Sequence, residues 1–168
     1  MKAKEEKRPK DIAYLDTNVI SFYFDTRPEI QWMRNATRQW WEKRKQDFYV
    51  CTSEAVVGEL EDGGYLHQPE AVKLVKSIAV LPGNDSVDNI AQYYIEHYLA
   101  PKENIQRFRG DAIHLAICAF YHVDYLLTWN LKHLANVNKF RQLKIMNARM
   151  DLSTPIITTP AQLLEETI

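Results

Sequence analysis

Five short apolar runs punctuate the chain, at residues 12–15, 48–51, 78–81, 125–128 and 156–158. Each is followed by a polar turn or by apolar positions at helical spacing. Their lengths suit buried strands, and their near-continuous hydrophobicity favours strands covered on both faces. Between them, residues 28–45 place Ile30, Met33, Trp40 and Trp41 on one side of a helix, with Thr26 and Glu29 spaced as a capping box. Ala71, Leu74, Val75 and Ile78 repeat with the same period. So do Val87, Ile90, Ala91, Tyr94 and Tyr98, in a helix that Ser86 or Asp85 would cap and Pro101 would stop. Gly110 and Asp111 open a stretch, 112–121, that is apolar nearly all round, as in a central buried helix. Residues 136–150 read as a weakly patterned helix and 160–166 as a short terminal one. This alternation predicts an α/β layer structure with a mostly parallel central sheet. No repeat or linker divides it, so residues 11–168 read as one domain behind a charged, flexible segment, 1–10.

Composition narrows the class. A chain of 168 residues that is 46% hydrophobic and 26% charged can bury a real core and is not disordered. Its longest apolar run, residues 115–121, falls far short of the ~20 residues a membrane helix needs. The charged start lacks the apolar stretch of an export signal. Cys51 and Cys118 are too few for a disulfide framework and sit in apolar stretches, so a cytoplasmic protein is expected. Lys and Arg number 21 against 22 Asp and Glu, a net charge of −1. Proteins that grip long nucleic acid through phosphates are usually basic, so any such contact here must be local or must draw on a metal's charge.

Three carboxylates stand in odd places. Asp16 directly follows the first run in Tyr14-Leu15-Asp16-Thr17-Asn18, and Glu59 interrupts the apolar side made by Val56, Val57 and Leu60. Asp111 stands at the mouth of the buried helix that leads into the fourth run, and Asn130 follows that run in Leu126-Leu127-Thr128-Trp129-Asn130. Singly, each has a plain structural reading: Asp16 and Asp111 as helix caps, Glu59 as a snorkelling side chain, Asn130 as a turn residue. A parallel sheet changes this. Asp16 and Asn130 then lie just past carboxyl ends of strands, Glu59 is in the first turns of a helix leaving that edge, and the helix carrying Asp111 must begin there. All four converge on the rim where open α/β sheets carry their sites. Close carboxylates repel and partly protonate unless compensated, and no single Lys or His of these motifs obviously neutralises all three. Mg²⁺ or Mn²⁺ would, with Asn130 as a neutral ligand, and the chemistry expected is metal-assisted phosphodiester hydrolysis. Glu54, roughly 140° from Glu59 around a helix, points away from the group.

These stretches, with Thr52-Ser53-Glu54-Ala55-Val56-Val57-Gly58-Glu59-Leu60 and Gly110-Asp111-Ala112-Ile113-His114-Leu115-Ala116, resemble the PIN-domain family of metal-dependent nucleases. Within it they resemble the VapC-type toxin ribonucleases of toxin–antitoxin pairs. The resemblance implies a Rossmann-like α/β/α fold, Mg²⁺ or Mn²⁺ at the acidic rim, and endonucleolytic cleavage of RNA to a 5′-phosphate and a 3′-hydroxyl. It makes Asp16, Glu59 and Asp111 the principal catalytic and metal-site acids, with Thr17, Asn18 and Thr128 as positioning groups. It further implies a cognate antitoxin protein and a homodimer. Many members carry an acid where this chain has Asn130, and the lost charge should weaken a second metal site more than the first.

Other features admit two readings. Arg27, Arg34, Arg38 and Lys45 share one side of a helical projection, either as a stripe guiding RNA phosphates or as a solvated face. Arg107 and Arg109 are a candidate phosphate clamp or counter-charges to the acids. The aromatics Phe22, Tyr23, Phe24, Trp32, Trp40 and Trp41 pack the core or line a groove for a partner helix. His114 reads as packing or hydrogen bonding rather than catalysis, and His97, His122 and His133 form no zinc pattern with the cysteines. Two alternatives to the nuclease remain. One is a catalytically weak PIN-like module that binds RNA or protein. The other, an aspartyl phosphotransferase, lacks a second Asp two positions after Asp16 and any glycine-rich phosphate loop.

Overall fold

The computed structural model describes residues 9–97, 105–131 and 137–164, with side chains throughout except at 105–108. Strands β1 (Ile12–Leu15), β2 (Tyr49–Ser53), β3 (Ala79–Leu81), β4 (Tyr125–Leu127) and β5 (Ile156–Thr158) form one sheet in the order β3-β2-β1-β4-β5. All four pairings are parallel. The helices are α1 (Thr17–Phe24), α2 (Gln31–Lys43), α3 (Glu54–Asp62), α4 (Gln68–Val75), α5 (Asp85–Glu96), α6 (Ile105–Phe120) and α7 (Val137–Arg149). The chain winds outward from β1 through β2 to β3, then returns to β4 on the other side of β1. Connections that leave β1 in opposite directions across the sheet create a crevice at the carboxyl ends of β1 and β4. The α/β fold with a parallel sheet is thus the one the apolar pattern predicts. No helix among the described residues is long and apolar enough to cross a membrane.

The central strands are apolar on both faces because both are covered. Ala13, Tyr14 and Leu15 of β1 and Leu126 and Leu127 of β4 are buried, around a core that includes Trp40, Val56, Leu60, Tyr94 and Ile117. The edge strands depart from the expected double burial. Val80 of β3 and Ile156 of β5 are exposed, since an edge strand has fewer neighbours to shield it.

Several helix boundaries differ from the sequence reading. The capping box at Thr26 does not form. The chain enters α2 through a 3₁₀ turn, Pro28–Ile30, preceded by Arg27 without a side-chain cap bond, while Arg27 itself pairs with Asp25. Asn84, not Ser86 or Asp85, caps α5 by accepting from the Val87 amide, and α5 ends at His97 before Pro101 is reached. Ile78 falls outside α4. Residues 160–164 form turns rather than a helix, and the rest of that predicted element lies outside the described residues. The largest correction concerns α6, which starts at Ile105, so Asp111 is not its cap but sits well inside it. Ile105 and Phe108 continue the helical spacing of Ala112 and Leu115, a signal that reading Gly110 and Asp111 as the helix start passed over.

Cys51 and Cys118 are free and buried. Burial pushes the Cys51 thiol up to about 12 and raises that of Cys118 as well. Both thiols should stay unreactive toward a thiol-specific disulfide reagent at mildly alkaline pH in native buffer and react fully in guanidinium. Native labelling of either would contradict the packing described.

Candidate active site

Asp16 directly follows β1 and is buried at the crevice. Its amide continues the sheet by donating to the Leu127 carbonyl at 3.0 Å. Its carboxylate accepts from the Thr17 amide at 2.7 Å, the Thr128 hydroxyl at 2.7 Å and the Asn18 side-chain amide at 3.1 Å. Asn18 also donates to Thr128 Oγ1 and accepts from the Trp129 amide at 2.9 Å, tying the ends of β1 and β4 together. Asp16 therefore does cap α1, as its plain reading had it, and also presents a fixed carboxylate at the sheet edge.

Glu59 reaches the same place from the second turn of α3, whose start Ser53 caps. It accepts a short hydrogen bond from the Thr17 hydroxyl. Glu54 turns the other way and accepts from the Gly83 amide. From α6, the buried His114 brings Nε2 to 3.1 Å from Glu59 Oε1 and 3.5 Å from Asp16 Oδ1. Its Nδ1 lies 2.6 Å from the Tyr14 hydroxyl, which in turn is 2.7 Å from Ser53 Oγ. One relay thus joins the first two strands to both carboxylates.

His114 is the residue that sequence reasoning left outside the acidic group. The only signal for it was its position three residues after Asp111, on the same helix face. It touches two of the acids, Asp16 and Glu59, and so compensates them in part, while no single Lys or His of these motifs neutralises all three. Burial alone would lower the His114 pKa, but the hydrogen bond to Glu59 and the charges of Asp16, Glu59 and Asp111 outweigh it and hold it raised. For Glu59, burial works upward, yet the bonds from His114 and Thr17 leave its carboxyl below the ordinary range. Burial also raises the Tyr14 hydroxyl, which keeps its proton.

The remaining predicted residues are placed as follows. Asp111 is close enough for its charge to act on His114, and a Cβ on the preceding Gly110 would lie 3.5 Å from Glu59 Oε1. Asn130 stands on the same rim, its amide donating to Thr128 Oγ1 at 3.0 Å. Arg109 is exposed, and the side chain of Arg107 lies outside the described residues. The basic stripe is engaged within the protein. Arg34 and Arg38 donate to the Asp25 and Tyr23 carbonyls, Arg27 binds Asp25, and the Lys45 ammonium sits 4.2 Å from the centre of the Trp41 ring. These contacts favour holding α2 against the end of α1 over a stripe kept for RNA. Among the aromatics, Trp40 is core, whereas Trp32 is exposed and meets Trp129 edge-on.

One ligand atom each from Asp16, Glu59 and His114 lie within 4.8 Å of one another. One ion with bonds of roughly 2.0–2.6 Å to oxygen can span the two carboxylates of this group, so Asp16 and Glu59 fit a divalent cation. The solved structure of VapC20 from Mycobacterium tuberculosis has a similar fold. VapC20 is a sarcin–ricin loop cleaving toxin, and the likeness has a TM-score of 0.56 at 15% identity, covering 73% of this chain and 93% of that one. The fold is therefore shared with VapC20. No protein-family model and no curated protein matches the chain.

Two outcomes follow. Thr128→Val removes a donor to buried Asp16 and an acceptor for two amides, and should lower stability by about 1–3 kcal/mol in urea unfolding; a loss within error would contradict the bonding described. In metal-free protein, the raised His114 pKa adds stability that is complete below its ordinary value of 6.5 and is lost as pH rises through the folded value. The lowered Glu59 pKa adds stability that is complete above 4.5 and is lost as pH falls through its folded value. The stability gap between wild type and His114→Gln in EDTA should therefore be widest between those two values and shrink on the alkaline side. A gap independent of pH would be inconsistent with a charged imidazole there.

Proposed function

We propose that the protein is a divalent-metal-dependent endoribonuclease of the PIN family, VapC type, acting as the toxin of a toxin–antitoxin pair. The observation that carries this reading is the meeting of Asp16 and Glu59, from distant parts of the chain, at the topological switch point of a fold shared with an RNA-cleaving toxin. Asp16, Glu59 and Asp111 would hold Mg²⁺ or Mn²⁺, with Asn130 beside them. The bound cation would supply polarisation of the scissile phosphate and stabilisation of the charge that builds there.

The chain's own residues do the positioning. Thr17, Asn18 and Thr128 lock the Asp16 carboxylate, so it meets an ion without reorganising. Thr17 and His114 orient Glu59, leaving its partly exposed carboxylate to bind the ion or to accept a proton from the attacking water. Tyr14 and Ser53 fix the ring of His114. Hard cations prefer oxygen, so His114 serves better as a donor to the carboxylates than as a ligand. Arg109 is exposed and is the candidate for meeting a substrate phosphate, although two positions of helix turn it about 200° from Asp111. The exposed Trp32, edge-on to Trp129, supports a protein partner, an antitoxin or a second copy of the chain.

One observation favours a second reading, a catalytically weak module that binds RNA or protein. His114 already supplies a counter-charge to Asp16 and Glu59, so the group does not strictly require a metal. Calorimetry with Mn²⁺ separates the two, since no binding at millimolar metal would favour the module.

Single-stranded RNA incubated with the protein and Mg²⁺ or Mn²⁺ should be cut, and EDTA should abolish the cutting. Asp16→Asn should reduce the rate by more than the ~10–100-fold typical of losing a group behind a metal ligand. Cleavage that survives chelation or the substitution would overturn the assignment.

A further inference from the structure

Glu59 is the open end of the acidic group. Its side chain is 42% exposed, against 6% for Asp16 and 3% for His114, so a ligand reaches the group over Glu59. Glu59 borders a cavity of about 510 Å³ between α1 and the connection from α3 to α4. It also faces Gly110 of α6, where a Cβ would stand 3.5 Å from Glu59 Oε1. Apart from chain neighbours and the backbone of its own helix, that oxygen is the only heavy atom of the described residues within 4 Å of the position. Glycine in a helix interior is destabilising relative to alanine, because more backbone freedom is lost on folding. Neither usual reason for such a glycine holds here. No glycine among the described residues has a positive φ, and a methyl group at position 110 would make an ordinary van der Waals contact. The fold accepts alanine there, so what glycine secures is space in front of Glu59 Oε1.

We propose that Gly110 is an access residue for the reaction: by lacking a side chain it admits the RNA phosphate to the carboxylates. The inference rests on the nuclease reading and deepens it. A cation bound to oxygen at roughly 2.0–2.6 Å carries its other ligands roughly 3–5 Å from a carboxylate oxygen that holds it. A Cβ 3.5 Å from Oε1 falls in that shell, and a longer side chain takes up more of the open space beside it. A bare ion can still approach the carboxylate from another side, whereas the phosphate oxygens lose their place. Gly58 of α3 is the matching control. It too is a helix-interior glycine that precedes an acid, and a Cβ there meets nothing within 4 Å. Adjacent residues on a helix do not face each other, so a methyl at position 58 leaves the Glu59 carboxylate uncovered.

The test compares wild type with Gly110→Ala, Gly110→Leu and Gly58→Ala. Each is measured by urea unfolding, by calorimetry with Mn²⁺, and by fluorescence anisotropy with labelled single-stranded RNA in Ca²⁺, so that binding is read apart from cleavage. Both alanine variants should unfold at a urea concentration equal to or above that of wild type. Gly110→Ala should bind RNA roughly tenfold more weakly and Gly110→Leu up to ~100-fold, the scale of a reacting group displaced by about an ångström. The Mn²⁺ affinity of Gly110→Ala and the RNA affinity of Gly58→Ala should match wild type. Should Gly110→Leu fail to fold, Gly110→Ala carries the comparison. RNA affinity unchanged at position 110, in a protein that cuts RNA with Mn²⁺, would overturn the access role and leave the nuclease standing. So would an equal loss in Gly58→Ala, a parallel loss of Mn²⁺ affinity in Gly110→Ala, or a lower urea midpoint for Gly110→Ala, which would mean that the fold itself needs the glycine. Weaker RNA binding at position 110 without Mn²⁺-dependent cleavage by wild type would keep the access role and reject the nuclease. No RNA binding by wild type would reject both.

Discussion

The structure turns on one buried carboxylate. Asp16 directly follows the central strand at the point where the chain's winding reverses, and three donors from two strand ends hold it there. A buried carboxylate is costly unless it is paired and hydrogen-bonded, so the Asp16–Asn18–Thr128 lattice is a condition of having an acid at that place at all. The same lattice closes the β1–β4 crevice and fixes Thr17, through which Glu59 is oriented. Structure and chemistry are therefore joined at a single residue, which is at once the cap of α1 and the floor of the acidic group.

Charge balance is the second constraint. Asp16, Glu59 and Asp111 bring negative charge to the rim, and the buried His114 meets it with an imidazole whose pKa they raise. A protonated His114 offsets one charge. A divalent cation, as proposed, would offset two. The Tyr14–Ser53 relay behind the ring keeps His114 directed at the carboxylates in either case. The rim can thus stand folded without an ion and still retain excess negative charge to attract one.

Most of the site's framework was legible in the sequence because a parallel sheet sends every strand's carboxyl end to one edge. Once residues 12–15 and 125–128 read as strands, Asp16, Thr128 and Asn130 had to share a rim, and Glu59 followed from the second strand. Asp111 is an interior residue of α6 rather than its cap, and its charge acts on His114. What was hidden depends on contacts between elements. His114 meets Glu59 of one segment and Asp16 and Tyr14 of another, and no spacing within α6 announces that. Arg34 and Arg38 formed a clean stripe on a projection, yet the carbonyls they cap belong to the end of α1. The cavity beside Glu59 likewise arises from a connection, residues 63–67, with no periodic pattern to read.

The most direct test of this account is a crystal soaked in Mn²⁺ and measured for anomalous scattering. A single strong peak bridging the carboxylates of Asp16 and Glu59, at the roughly 2.0–2.6 Å expected of ion–oxygen bonds, is the predicted result. Crystals in which the crevice shows no peak, with His114 still seated against both acids, would contradict it.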